Sequence, residues 1–288
     1  TQILNEVLNL FPKIINNYHE PFLGGGSVLL GLLSLQKEGK ITINGKIYAS
    51  DLNPILIGLY KNVQAQPTLL IENVEKIISE YRTVPRIGGT LNRKAMTLAE
   101  GLTSEESYYY YIRHKFNTCT EYNSVEVSAM FVFLNKVCFR GMYREGPNGF
   151  NVPFGHYKNQ QIIDTEHILR ISALIQNVIF QKQSFSDAFT SITAGDFVYL
   201  DPPYAPENDT SFVSYTSDGF NLDNHKNLFK KCNEMKDKNV KMLLSNADVK
   251  LVKDAFPSPI YTTKIISCRR AINAKNPNSR TNEVLITN

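Results

Sequence analysis

The chain has no tryptophan and only four cysteines and five histidines in its 288 residues. Cys119, Cys138, Cys232 and Cys268 are scattered, without a Cys-x-x-Cys pair or a nearby histidine cluster. That pattern argues against a zinc site and for free thiols in a reducing compartment, hence a cytoplasmic location. His19, His114, His156, His167 and His225 show no ligand spacing, so no metal is expected. No apolar run approaches the ~20 residues that span a bilayer, and no basic–apolar–small signal opens the chain. A membrane partner is therefore not expected. Repeats, low-complexity tracts and long linkers are missing too. A strong charge of either sign is also lacking: the formal net charge of +4 permits an anionic partner without demanding one. With 42% apolar and 20% charged residues, the composition is that of a globular protein with one main domain and a smaller unit.

What is present centres on Asp201-Pro202-Pro203-Tyr204, which follows the apolar run Phe197-Val198-Tyr199-Leu200. Such a run reads as a strand buried on both faces, stopped by two residues that cannot donate a backbone hydrogen bond. It leaves a carboxylate, a stiff turn and an aromatic ring at the carboxyl end of a strand, where open α/β sheets place their ligands. An exocyclic amine on a planar ring is a poor nucleophile while its lone pair is delocalised. Asp201 can accept one amino hydrogen and the Pro202 carbonyl the other, favouring a tetrahedral nitrogen. Tyr204 can stack on the ring. The plainer alternative is a strand-ending turn with a packing tyrosine.

Earlier in the chain, Ile3, Leu4, Val7, Leu8 and Phe11 recur at helical spacing, and Pro12 closes that helix. Glu20-Pro21-Phe22-Leu23-Gly24-Gly25-Gly26-Ser27 then leads into an apolar helix from about Val28 to Leu35. Glycines there let the backbone approach a ligand, with the helix N-terminus aimed at it. Ile41–Ile43 and Ile47–Ala49, joined at Asn44-Gly45, predict a hairpin. Asp51 closes the second of these strands and is placed to take the two hydroxyls of a ribose.

Residues 54–117 read mostly as helices, and the tyrosines at 108–111 fan around one of them, most of them packing. A helix from Val125 to Val137 precedes a stretch, 138–155, of glycines and alternating aromatic and basic residues. This predicts an exposed β-hairpin able to enter a DNA major groove. Residues 136–158 carry Lys136, Arg140, Arg144 and Lys158 against Glu145 alone. Residues 264–282 carry five cations and no acid. Both stretches suit a phosphate backbone, or are simply solvated loops. Strand–helix alternation resumes near 165, so the helical unit interrupts a sheet domain.

Four separated stretches agree with one family. Glu20-Pro-Phe-Leu-Gly-Gly-Gly-Ser27, Asp51-Leu-Asn53, Phe133-Leu-Asn-Lys136 running on to Phe150-Asn-Val-Pro-Phe-Gly155, and Asp201-Pro-Pro-Tyr204 resemble the Dam-like DNA adenine-N6 methyltransferases. Leu244-Ser-Asn246 and Arg269-Arg270 fit the later motifs. The resemblance covers most of the chain apart from residues 65–110. It implies an α/β, Rossmann-like sheet with helices on both faces, formed by residues 1–54 and 162–288. A mostly helical target-recognition unit, 55–161, would carry the hairpin. S-adenosylmethionine would lie across Phe22, Gly24, Gly26 and Ser27, its ribose on Asp51 and its adenine beside Ser184 and Phe185. Asp201, Pro202, Pro203 and Tyr204 would act on a flipped-out adenine of double-stranded DNA. Phe139 would be the wedge, Met142 an apolar base contact and Arg144 a guanine reader. Arg140, Asn151, Pro153, Arg269 and Arg270 complete the implied DNA contacts. GATC is the implied target, with Arg140 standing where the family usually has asparagine. A monomer, working alone or paired with a restriction endonuclease, completes the expectation.

Two further points bear on that expectation. The family's Trp-x-Gly-Gly-Lys-type motif before the first helix is absent from a chain that starts on that helix, so a short preceding segment is expected. A nicotinamide-dinucleotide fingerprint is the competing reading of the glycines, but Leu29 stands where its third glycine belongs. Other planar amines (cytosine N4, an RNA base) and a DNA-binding relative without turnover are the remaining alternatives.

Overall fold

The computed structural model describes residues 3–85, 89–158, 160–206, 220–269 and 280–288. The chain divides into two compact units, Thr1–Leu52 with Asn177–Asn288, and Asn53–Gln176. It begins with α1 (Leu4–Leu8), β1 (Ile14–Ile15), β2 (Tyr18–Glu20), α2 (Ser27–Lys37), β3 (Thr42–Ile43) and β4 (Ile47–Asp51). The second unit holds α3 (Pro54–Ala65), α4 (Pro67–Thr83), α5 (Leu98–Gly101), α6 (Glu105–Thr118) and α7 (Val125–Val137). It continues with the short strands β5 (Glu145–Gly146) and β6 (Gly149–Phe150), then α8 (Thr165–Leu174). The chain returns to the first unit through β7 (Val178–Lys182), α9 (Phe185–Ala188), β8 (Phe197–Leu200) and α10 (Leu222–Asp237). Last come β9 (Lys241–Ala247), α11 (Lys250–Ala255), β10 (Thr262–Arg269) and β11 (Arg280–Thr287).

Seven strands form the main sheet in the order β10-β11-β9-β8-β2-β4-β7. β8 pairs in parallel with β2 and β9, and β2, β4 and β7 are parallel in turn. β11 runs antiparallel to β9 and β10. The chain steps outward from β2 through β4 to β7, then returns to lay β8 on the other side of β2. That reversal opens a crevice at the carboxyl ends of β2 and β8, the ligand position of open α/β sheets.

All four residues of β8 are buried, which explains its unbroken apolar run. Val198 and Leu200 join a core with Leu228, Met242, Leu244 and Val284. On the opposite face Phe197 meets the Phe11 ring at 4.7 Å, and Tyr199 lies 5.9 Å from it. Residue 201 continues the parity of 197 and 199. Asp201 therefore leaves the strand on the face shared with Tyr18 and Glu20 of β2.

The hairpin predicted at residues 41–49 is not formed. β3 pairs in parallel with β1, and β4 lies between β2 and β7. The Asn44 and Gly45 amides donate to the carbonyls of Ile15 and Asn16, so this dipeptide is tied to the preceding strand segment instead of closing a turn. A Cβ at Gly45 would come within 2.2 Å of Asn17 Oδ1. Close approach, not left-handed backbone, demands glycine there.

In the second unit α3, α6 and α7 each start at a side-chain cap, whereas α4 has none. Asn53 caps α3 with Pro54 at its first position, Ser104 caps α6 and Ser124 caps α7. Tyr108, Tyr109 and Tyr110 are buried and Tyr111 half-buried. α8, expected with the sheet, belongs to this unit and packs on α3 and α4. Its amphipathic face serves a helical neighbour as well as it would a sheet. Among the described residues no helix is long and apolar enough to cross a membrane.

Candidate active site and nucleic-acid interface

The crevice between β2 and β8 is bordered first by the glycine turn. Gly24 and Gly26 both have left-handed backbones, with φ of 47° and 64°. Leu23 donates its amide to the Ser50 carbonyl at 2.9 Å, and Gly26 donates to Leu23 O at 2.8 Å. Gly24 donates to Asp51 Oδ2 at 3.0 Å. The turn and the acid at the end of β4 thus form one rigid unit. A Cβ added at Gly24 or Gly25 would meet nothing within 4 Å, so the turn faces open space. Ser27 starts α2 without a side-chain cap, leaving backbone N–H groups at that end directed toward the turn.

Asp201 is half-buried, Pro202 buried, and Pro203 and Tyr204 exposed. Burial, then the nearby Glu283 carboxylate, pushes the Asp201 carboxyl up to about 6, while the Tyr204 hydroxyl pulls it back. The shift arises because β8 is flanked on both sides and the carboxyl emerges from a desolvated sheet end. Tyr204 is held at its hydroxyl, 2.6 Å from Ser245 Oγ and 3.2 Å from Glu283 Oε2. Asn246 Oδ1 accepts from the amides of Ala205 and Ala247, both at 2.9 Å, fixing the chain just beyond the tetrad. Glu20 is 2% exposed and accepts from Tyr18 at 2.6 Å. Desolvation, partly offset by that bond and reinforced by Asp201, raises its carboxyl to about 8.

Phe22, Phe185 and Phe220 form a ring cluster with centroid separations of 5.5, 5.7 and 5.6 Å. The structure therefore brings together the glycine turn, the start of α9 and Phe220, two residues before α10. Ser184 caps α9 by accepting from Asp187 N at 3.1 Å, and its hydroxyl donates to Asp187 Oδ2 at 2.7 Å. Its side chain is therefore engaged in its own turn. Arg270 and the side chain of Arg269 lie outside the described residues.

In the second unit the predicted hairpin is present, though its β5–β6 ladder is short. Below it the segments around Cys138 and Phe154 pair, with Phe139 N donating to Pro153 O at 2.8 Å and Gly155 N to Val137 O at 2.9 Å. Three residues of α6 at successive four-residue steps anchor it. Tyr109 and Arg113 donate to Val152 O at 2.7 and 3.2 Å, and Asn117 exchanges two 2.9 Å bonds with the Phe150 backbone. Phe139 is 43% exposed, a protruding ring of the kind a wedge requires. Arg140 is exposed and left-handed at φ 57°, ψ 17°, a backbone that asparagine adopts more readily than arginine. Its amide donates to Tyr157 OH at 2.7 Å, and its guanidinium lies 5.2 Å from the Phe139 ring. Met142 is half-buried, and Arg144, Asn151 and Pro153 are exposed.

Two participants carry only a faint sequence signal. Glu283 is an isolated acid before the apolar run Val284–Ile286, and nothing local ties it to Tyr204, whose side chain reaches it across 79 positions of sequence. The anchoring face of α6 is hidden by the tyrosine run, although Tyr109, Arg113 and Asn117 share one helix side by spacing.

A family model for D12 class N6 adenine-specific DNA methyltransferases matches residues 1–272. The type II methyltransferase M.MjaIII of Methanocaldococcus jannaschii is 34% identical, covering 96% of this chain and 90% of its own. M1.LlaDCHI of Lactococcus lactis subsp. cremoris, also a type II methyltransferase, is 30% identical over 100% of this chain and 91% of its own. A DNA adenine methylase of Haemophilus influenzae is 30% identical over 97% and 86%. The chain belongs to the D12 class of N6 adenine-specific DNA methyltransferases.

Proposed function

We propose that this protein uses S-adenosylmethionine to methylate N6 of an adenine flipped out of duplex DNA, with Asp201, Pro202 and Tyr204 as its catalytic residues. One observation carries the reading: the topological reversal sets the glycine turn and the tetrad at the carboxyl ends of adjacent parallel strands. The donor set fits the cofactor. Gly24 and Gly25 offer open space beside the N–H groups of α2, Asp51 at the end of β4 adjoins the turn and can take the ribose hydroxyls, and Phe22 and Phe185 offer apolar rings. When bound, S-adenosylmethionine supplies a methyl group already activated by a sulfonium.

The chain's own groups then prepare the acceptor. Asp201 accepts one hydrogen of the amino group and the Pro202 carbonyl the other, which localises the nitrogen lone pair. Tyr204, clamped through Ser245 and Glu283, presents its ring to the base. Once methylated, the nitrogen carries one proton too many. Asp201, at about 6, takes that proton and passes it to water. Orientation supplies most of the rate.

Phe139 fills the gap left by the base, Met142 touches a base edge and Arg144 reads guanine. The target we propose to test first is GATC. A cytoplasmic monomer, working alone or beside a restriction endonuclease, fits a relationship to proteins named type II methyltransferases. Methylating a plasmid with labelled cofactor and mapping the modified bases tests the reading. Label on adenines within one short sequence supports it, whereas label on cytosine or on no base opposes it.

A further inference from the structure

Arg144 and Asn151 face each other where the β5–β6 ladder runs out. Asn151 N donates to Arg144 O at 3.0 Å, so their side chains leave the ribbon on the same side. There Arg144 Nε donates to Asn151 Oδ1 at 2.6 Å, and Nη2 lies 3.4 Å from Asn151 O. Nε and Nη2 make up the side-on edge of the guanidinium. That edge is consumed within the hairpin, and the end-on pair of Nη1 and Nη2 hydrogens is what remains to meet a ligand.

The surroundings enforce this arrangement. The amide oxygen of Asn151 must face Arg144, because its NH2 group would oppose a donor with a donor. A Cβ at Gly146 would come within 2.5 Å of Asn151 Nδ2, so glycine makes room for the amide. The acid next door is diverted: Glu145 accepts from Tyr143 OH, and the Tyr143 ring packs on Phe131 and Phe150. Arg144 is therefore held by a neutral partner, and its full positive charge is preserved for an electron-rich edge.

We propose that Asn151 is a specificity-determining positioning residue, which turns Arg144 end-on toward a pair of adjacent acceptors such as guanine O6 and N7, and that it does not itself contact DNA. This rests on the reading of the hairpin as the DNA-recognising element. It reassigns Asn151 from the contact role that the family resemblance implies.

The test uses the full chain and a duplex library randomised around a central adenine, with methylated products sequenced. Wild type should show a guanine preference at one position, and Asn151→Ala should reduce it about ten- to a hundredfold, the range of one bidentate contact. Affinity for duplexes lacking that guanine, and the melting temperature, should stay near wild type. In an Arg144→Ala background the Asn151→Ala change should have no further effect on the preference. Asn151→Asp keeps the acceptor but neutralises the guanidinium, so the preference persists while affinity falls. A uniform affinity loss in Asn151→Ala with the guanine preference intact would overturn the proposal and make Asn151 a direct backbone contact. An unchanged preference in Arg144→Ala would instead remove the guanine reading itself, and the proposal with it.

Discussion

The Tyr204 hydroxyl sits 2.6 Å from the hydroxyl of Ser245, on the strand that neighbours β8. With Glu283 accepting at 3.2 Å, the phenol donates to the carboxylate and accepts from the serine. An exposed ring is thereby fixed at its far end. Replacing Tyr204 with alanine removes the stacking platform, and kcat/KM should fall by about ten- to a hundredfold. Tyr204→Phe keeps the ring and loses only the clamp, so it should lose less. Single-turnover methylation of one duplex by the three proteins checks the order.

Glu283 acts on Asp201 as well, raising its carboxyl through like charge after burial has done most of the work. The carboxyl must be ionised to accept an amino hydrogen. kcat/KM, which reports the free enzyme, should be flat above about pH 7 and fall below about 6. Glu283→Gln keeps an acceptor for Tyr204 and removes the repulsion. The acid limb should therefore move to lower pH. An unmoved limb would show that another group governs it.

Glu20 gives a stability prediction. Its carboxyl rises from 4.5 to about 8 on folding. Between those values the folded chain holds a proton that the unfolded chain releases. The resulting contribution is complete below about 4.5 and disappears as pH climbs through about 8. Glu20→Gln keeps an acceptor for Tyr18 and abolishes the titration. Wild type should lose on the order of a few kcal/mol relative to this variant between pH 5 and 9. Chemical denaturation at a series of pH values measures the difference directly, and parallel curves for the two proteins would contradict it.

The glycine turn separates folding from binding. Gly25 has an ordinary backbone, and a Cβ there meets nothing within 4 Å. Gly25→Ala should leave stability within about 1 kcal/mol of wild type. Its methyl group would nevertheless occupy the space assigned to the cofactor, so S-adenosylmethionine affinity should drop by about tenfold or more. Calorimetric titration of the two proteins, alongside their melting curves, distinguishes a ligand-facing turn from an ordinary loop.

The parts of the fold that were legible in the sequence are those whose cause is local or symmetric. β8 announces itself because burial on both faces requires an unbroken apolar run, and two prolines end it. α6 and α7 are written in their serine caps. Asn44-Gly45 misleads for the same reason: it carries the signature of a tight turn, yet the long-range pairing of β3 with β1 prevails. α8 gives an amphipathic pattern that fits a sheet or a helix pair, so periodicity alone does not place it. Within the site, the chemistry of Asp201 follows from residue type and position. Its raised pKa does not, because it depends first on burial of the strand end and then on Glu283, brought near by β11.

The central claim is tested most directly by digesting DNA to nucleosides after incubation with isotopically labelled S-adenosylmethionine and either wild type or Asp201→Ala. The account predicts labelled N6-methyladenine from wild type, and none from an Asp201→Ala protein that still folds and binds DNA. Labelled N4-methylcytosine from wild type, or undiminished N6-methyladenine from Asp201→Ala, would contradict it.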